Sequence, residues 1–164
     1  MQEKFMIRAI AIARESIDMP GTLPYGAVVV KDGEIIGEGL NRAEANCDPT
    51  SHGEVDAIRD ACARLSVTSL KGADLYTSGE PCSMCVATMY QVGIARLFYA
   101  GAASDSAAFF GRLAEHDLNW ARAMSNQELR EQVGLPMAQR SMPAEQMMAA
   151  DIAAVFKDFI QRHT

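Results

Sequence analysis

Tyr25-Gly26-Ala27-Val28-Val29-Val30-Lys31-Asp32-Gly33-Glu34-Ile35-Ile36-Gly37-Glu38-Gly39-Leu40 reads as two strands joined by a tight turn. Tyr25 to Val30 is apolar and rich in valine, whose stiff β-branched side chain suits a pleated sheet. Lys31-Asp32-Gly33-Glu34 then supplies Asp-Gly, the pair favoured where both central residues of a hairpin turn need positive φ. Ile35 to Leu40 returns as the second strand. An antiparallel hairpin near the start of the chain is therefore expected.

Working outward from it, residues 3–18 carry Phe5, Met6, Ala9, Ile10, Ala13 and Ile17 at helical spacing, and Pro20-Gly21 ends that pattern. Downstream, residues 41–50 are polar and turn-rich. A helix is expected over 53–65, with Val55, Ile58, Ala61, Cys62 and Leu65 on one stripe and Thr50 or Ser51 as its N-cap. A strand over 73–78 follows. Pro81 opens a helix reaching about Val92, since proline suits the first helical turn, and a strand spans 96–100. A hairpin followed by alternating helices and strands predicts a three-layer α/β/α sandwich around a mixed central sheet.

Beyond residue 104 the pattern turns helical, with helices expected over 106–114 and 117–123. Ser125-Asn126-Gln127-Glu128 spells a capping box opening another. A last helix is expected from Pro143, burying Met147, Met148, Ile152, Val155, Phe156, Phe159 and Ile160. Residues 1–164 thus read as one domain, of which 104–164 form a helical C-terminal extension.

Bulk properties narrow the class. With 164 residues and 49% hydrophobic content, the chain is long enough to bury a sizeable core. No apolar run approaches the roughly 18 residues of a membrane span, and the first twelve residues lack the pattern of a signal peptide. The net charge is -6, spread over both halves, with no basic cluster; nucleic-acid binders normally show one, because phosphate contacts dominate their affinity. The four cysteines have no secretory context, which favours reduced thiols and a cytoplasmic location.

Chemistry concentrates in His52-Gly53-Glu54 and Pro81-Cys82-Ser83-Met84-Cys85. Cys82 and Cys85, three residues apart at a helix start, share one face, where the helix dipole favours thiolates. With His52 they make three ligands for Zn2+, leaving a fourth tetrahedral position for water. Glu54, two residues past the ligand, is the candidate catalytic acid and base beside that water. Cys-x-x-Cys alone also fits a redox pair or a structural zinc. The upstream His-x-Glu argues against the first, and the lack of a nearby fourth ligand against the second.

His-x-Glu followed by Pro-Cys-x-x-Cys is the spelling of the zinc deaminases. From Tyr25 to Ala100 the chain resembles the cytidine and deoxycytidylate deaminase superfamily, closest in appearance to bacterial guanine deaminases and related purine deaminases. The likeness is carried by Tyr25 to Gly33, Asn41, Asp48-Pro49-Thr50, His52 to Val55 and Leu75 to Cys85. It implies hydrolytic deamination of a free nucleobase, guanine or a related aminated heterocycle, with release of ammonia. It also implies a small-molecule partner and a homodimer; the absence of a basic cluster points away from nucleic acid, and the absence of a long apolar run away from a membrane.

By the same resemblance Asn41 hydrogen-bonds the base and Tyr25 flanks the pocket, although Asn41 also fits a loop cap and Tyr25 a core residue. The backbone around Gly53 is expected against the substrate. Guanine deaminases carry Phe-Asp-Asp after the last matched strand; here Ser104 to Arg112 stands there, with Asp105 as the candidate acidic side chain. Cytosine or nucleoside deamination, tRNA adenosine editing and a non-enzymatic zinc-stabilised interaction module remain alternatives.

Overall fold

The computed structural model describes residues 2–120 and 124–163. Strands β1 (Leu23–Lys31) and β2 (Glu34–Asn41) form the antiparallel hairpin, and Lys31 pairs with Glu34 across its turn. Asp32 and Gly33 take φ of 52° and 83°, the two positive values such a turn requires. Before the hairpin lies helix α1 (Glu3–Glu15), continued by a 3-10 turn at Ser16–Asp18. After it come α2 (Gly53–Leu65), β3 (Asp74–Gly79), α3 (Ser83–Val92) and β4 (Arg96–Gly101).

The sheet order is β2-β1-β3-β4. β1 pairs antiparallel with β2 and with β3, whereas β3 and β4 run parallel across the α3 connection. This is the mixed α/β sandwich that the alternating pattern predicts. Side chains alternate across the strands with period two. Ala27, Val29 and Leu75 face Val55, Ala57, Ile58 and Ala61 of α2 and Cys85 and Met89 of α3. Val28, Val30, Leu40 and Tyr76 face Phe5, Ala9 and Ile12 of α1. Each fully buried valine contributes about 1.5–3 kcal/mol, so the central strand is held from both sides.

Helix α2 lies unusually close to the hairpin. A methyl group at Gly39 would overlap the backbone of Gly53 and Ala57, and one at Gly53 the carbonyl oxygen of Tyr25. These glycines let α2 approach until its first turn touches β1.

Several element boundaries differ from expectation. The N-cap of α2 is His52, with φ −82° and ψ 151°, not Thr50 or Ser51. Those hydroxyls are committed elsewhere: Ser51 Oγ donates to Asp56 Oδ2 at 2.6 Å, and Thr50 Oγ1 bonds Asp48 Oδ1 at 2.7 Å. Helix α3 starts two residues after Pro81, because Cys82 is extended (φ −75°, ψ 170°) and serves as the N-cap.

After β4 come α4 (Ala103–His116) and a 3-10 turn at Leu118–Trp120; the remainder of the helix expected over 117–123, residues 121–123, lies outside the described residues. Residues 1–126 and 127–164 form two compact units. Helix α5 (Asn126–Gly134) begins one residue after Ser125, and the second unit ends in α6 (Ala149–His163). That last helix starts six residues later than Pro143 suggests, since Met148 takes a left-handed φ of 55° that breaks the helical path. The apolar side chains expected to be buried there are exposed in the single chain, Phe156 at 61% and Phe159 at 62% among them. Among the described residues no helix is long and apolar enough to cross a membrane.

Candidate metal centre and pocket

The N-terminal ends of α2 and α3 meet over one face of the sheet, and each N-cap position is held by a candidate ligand. Serine, threonine, asparagine and aspartate normally occupy such positions and bond the free N–H groups of the first turn. Neither His52 nor Cys82 makes a side-chain cap. Both side chains turn toward one another instead.

His52 Nδ1 lies 3.6 Å from Cys82 Sγ and 3.5 Å from Cys85 Sγ, and the two sulfurs are 3.6 Å apart. A tetrahedral zinc with ordinary Zn–S and Zn–N bond lengths demands S···S of about 3.8 Å and S···N of about 3.6 Å. The three donors therefore stand already spaced as one face of a zinc tetrahedron. Two soft thiols and an imidazole are also the donor set that zinc selects. These three residues form a cluster able to hold a metal ion.

Glu54 sits beside the cluster and is buried, 5% exposed, with Oε2 3.5 Å from Cys85 Sγ. Burial raises its carboxyl above the ordinary range, against the opposing pull of its own backbone N–H and of His52. Cys82 is held down to about 3, first by its hydrogen bond with Cys85, with His52 adding to it; Cys85 is pushed up by the same bond and by burial. A divalent ion held by the cluster would favour both sulfurs as thiolates.

A pocket opens over this corner, lined by Tyr25, Asn41, His52, Glu54, Glu80, Cys82, Ser106 and Asn126. Asn41, at the end of β2, is 4% exposed, and its Oδ1 accepts the Ala43 N–H at 3.2 Å. Asn41 therefore caps a loop and also lines the pocket. Tyr25 occupies a bulge, where the β1–β2 pairing skips between Leu23 and Gly26. Bulges re-aim side chains; here Ser78 Oγ takes the Gly26 N–H at 3.0 Å, and the Tyr25 ring stacks on Phe110 at 6.2 Å.

Two other candidates stand apart. Gly53 supplies the close approach of α2 to Tyr25 and is not among the pocket-lining residues. Asp105 is not among them either: its Oδ2 accepts the Ala102 N–H at 2.8 Å and caps α4. Its neighbour Ser106 lines the pocket in its place. Glu80, Ser106 and Asn126 escaped the sequence reading. Glu80 follows the C-terminal end of β3, a position where parallel sheets gather their sites, and that signal was legible. Nothing local marks Ser106 or Asn126.

The model of the cytidine and deoxycytidylate deaminase zinc-binding region matches residues 1–101. The chain belongs to this family. Over 105 residues it is 45% identical to a guanine deaminase of Bacillus subtilis, covering 64% of this chain and 67% of that protein. A tRNA-specific adenosine deaminase of Aquifex aeolicus is 43% identical over 84 residues, 51% of this chain and 55% of the relative. The X-ray structure of the Bacillus subtilis guanine deaminase superposes with a TM-score of 0.82 at 32% identity, covering 98% of this chain and 94% of that one. The fold and the metal-ligating triad define a zinc-dependent nucleobase deaminase of the guanine deaminase-like group.

Proposed function

We propose that the protein hydrolyses the exocyclic amine of a free purine base, guanine or a close relative, to a carbonyl group and ammonia. The observation that carries this reading is the placing of Glu54 against the His52, Cys82 and Cys85 triad at the base of a pocket. His52, Cys82 and Cys85 would hold a zinc ion, which when bound would supply Lewis-acid activation of water. Water contributes the oxygen of the new C–O bond, and the C–N bond breaks as ammonia departs. Glu54 takes one proton from the attacking water and passes it to the ring nitrogen, then takes the second from the hydroxyl of the tetrahedral adduct and passes it to the leaving amine; burial, which raises its carboxyl, suits it to carrying a proton.

Asn41 binds the base. With its carbonyl oxygen engaged by Ala43, its NH2 group is the donor it offers the pocket. Tyr25, braced by Phe110, forms an aromatic wall against the ring. Among the described lining residues stand two carboxylates, Glu54 and Glu80, and no lysine or arginine. That set favours an uncharged base over a nucleoside phosphate. The same absence, with a net charge of -6, weighs against tRNA as the substrate, and a Glu54 placed at the triad weighs against a purely structural zinc.

The proposal extends to residues 1–164 acting as one deaminase domain, to a homodimer and to a cytoplasmic home, the last supported by four unpaired cysteines. Ammonia release from guanine, adenine, cytosine and their nucleosides tests it. Guanine is expected to turn over, and a zinc-loaded protein inert on all six would sink the reading. Glu54→Gln should lower kcat by roughly 10²–10⁴-fold while retaining zinc by elemental analysis. Full activity in that variant would remove Glu54 from its role.

A further inference from the structure

Helix α4 supplies Ser106 to the pocket and Phe109 and Phe110 to the Tyr25 ring, yet none of its residues is buried. Its apolar attachment is the partly buried Phe109–Phe110 pair on Tyr25, so polar attachments at its start help to set where the helix lies. One comes from Glu80, which sits between the end of β3 and the ligand Cys82.

Parallel pairing of β3 with β4 ends at Gly79 and Gly101. Just past that point the Glu80 N–H donates to the Gly101 carbonyl at 2.7 Å, and its Oε2 accepts the Ala103 N–H at 2.9 Å. Ala103 is the first residue of α4, where backbone N–H groups have no partner within the helix. Asp105 satisfies the N–H one residue earlier. The carboxylate from Glu80 also sits favourably at the positive end of the helix.

We propose that Glu80 is a positioning residue for base binding: it ties the start of α4 to the segment carrying Cys82, and so sets the wall formed by Ser106 and the braced Tyr25. The proposal rests on the deaminase reading for its substrate, whereas the tie itself does not depend on that reading. Glu80→Ala loses the acceptor; Glu80→Gln keeps an amide oxygen able to take the Ala103 N–H.

The zinc-loaded full chain and both variants would be compared by steady-state kinetics on guanine, by zinc content and by amide hydrogen exchange. Glu80→Ala is expected to raise the guanine KM about ten-fold, the scale of one lost charge-assisted hydrogen bond, with kcat and zinc content nearly unchanged. Amides of residues 102–106 should exchange faster, and those of α1 and α2 as before. Glu80→Gln, which keeps a neutral acceptor, should restore most of the loss in both KM and exchange.

Unchanged exchange and KM in Glu80→Ala would overturn the proposal, as would loss of zinc. Equal damage in both variants would mean that the charge itself meets the substrate, which also overturns it. If the wild-type protein releases no ammonia from guanine, the substrate reading fails separately, and the exchange measurement alone decides whether Glu80 holds α4.

Discussion

His52 and Cys82 show how one residue choice serves two purposes. Each occupies an N-cap whose usual occupant would spend its side chain on the helix, and each instead directs a donor atom to the triad. The helices then depend on packing rather than on capping at those ends. Arg8 and Glu38 illustrate the opposite case, a pair with a structural purpose alone. Arg8 Nε donates to Glu38 Oε1 at 2.8 Å and Nη2 to Oε2 at 2.6 Å, linking α1 to β2. That bidentate bond holds the Glu38 carboxyl below its ordinary value of 4.5. A depressed carboxylate stabilises the fold above its unfolded pKa, and the benefit disappears as pH falls through the lower folded value. Both side chains are partly exposed, so solvent screening limits the effect. Glu38→Gln should cost roughly 0.5 kcal/mol at pH 7 in urea unfolding, and the difference should shrink as pH drops below 4.5 and be gone below the lower folded value.

At the scale of elements, the approach of α2 to the hairpin matters most to the site. Alternation and periodicity in the sequence place the hairpin, α2 and β3 close to where they occur, because those elements bury one regular face. Glycine at position 39 reads only as a weakened strand until α2 is seen lying across it. Gly39→Ala would press a methyl group into the helix backbone, which, unlike a flexible side chain, cannot rotate aside. A loss of about 1–3 kcal/mol is expected from overpacking of this kind, read by urea unfolding. Because His52 and Glu54 ride on the first turn of the displaced helix, zinc content should fall as well. Full zinc occupancy in a clearly destabilised variant would show that the triad does not depend on this approach.

For the whole molecule, the open question is what covers the apolar stripe of α6. Ile152, Val155, Phe156, Phe159 and Ile160 are each about half exposed or more in the single chain, a density of apolar surface that soluble monomers seldom carry. The proposed homodimer would give that stripe a partner. Sedimentation velocity should find two chains of 17.8 kDa together, and the double substitution Phe156→Glu with Phe159→Glu should shift the population to single chains. A wild-type protein that sediments as a monomer at micromolar concentration would end that reading.

By itself the sequence determined the hairpin, the sandwich, the ligand triad and Glu54. These follow from local rules: turn chemistry, side-chain period, and a donor set whose spacing along the chain reflects its spacing on a helix. Asp105 and the last helix mark where such rules stop. Asp105 reads as a pocket acid by position, yet one step along a helix rotates a side chain by about 100°, and the pocket meets Ser106 instead. Glu80 can be placed from the sequence after the end of β3, but its tie to the Ala103 N–H, 23 residues away and 2.9 Å from its carboxylate, exists only in the fold. Only the tertiary structure decided the composition of the pocket wall, because a wall is assembled from residues distant in sequence whose contacts leave no period behind.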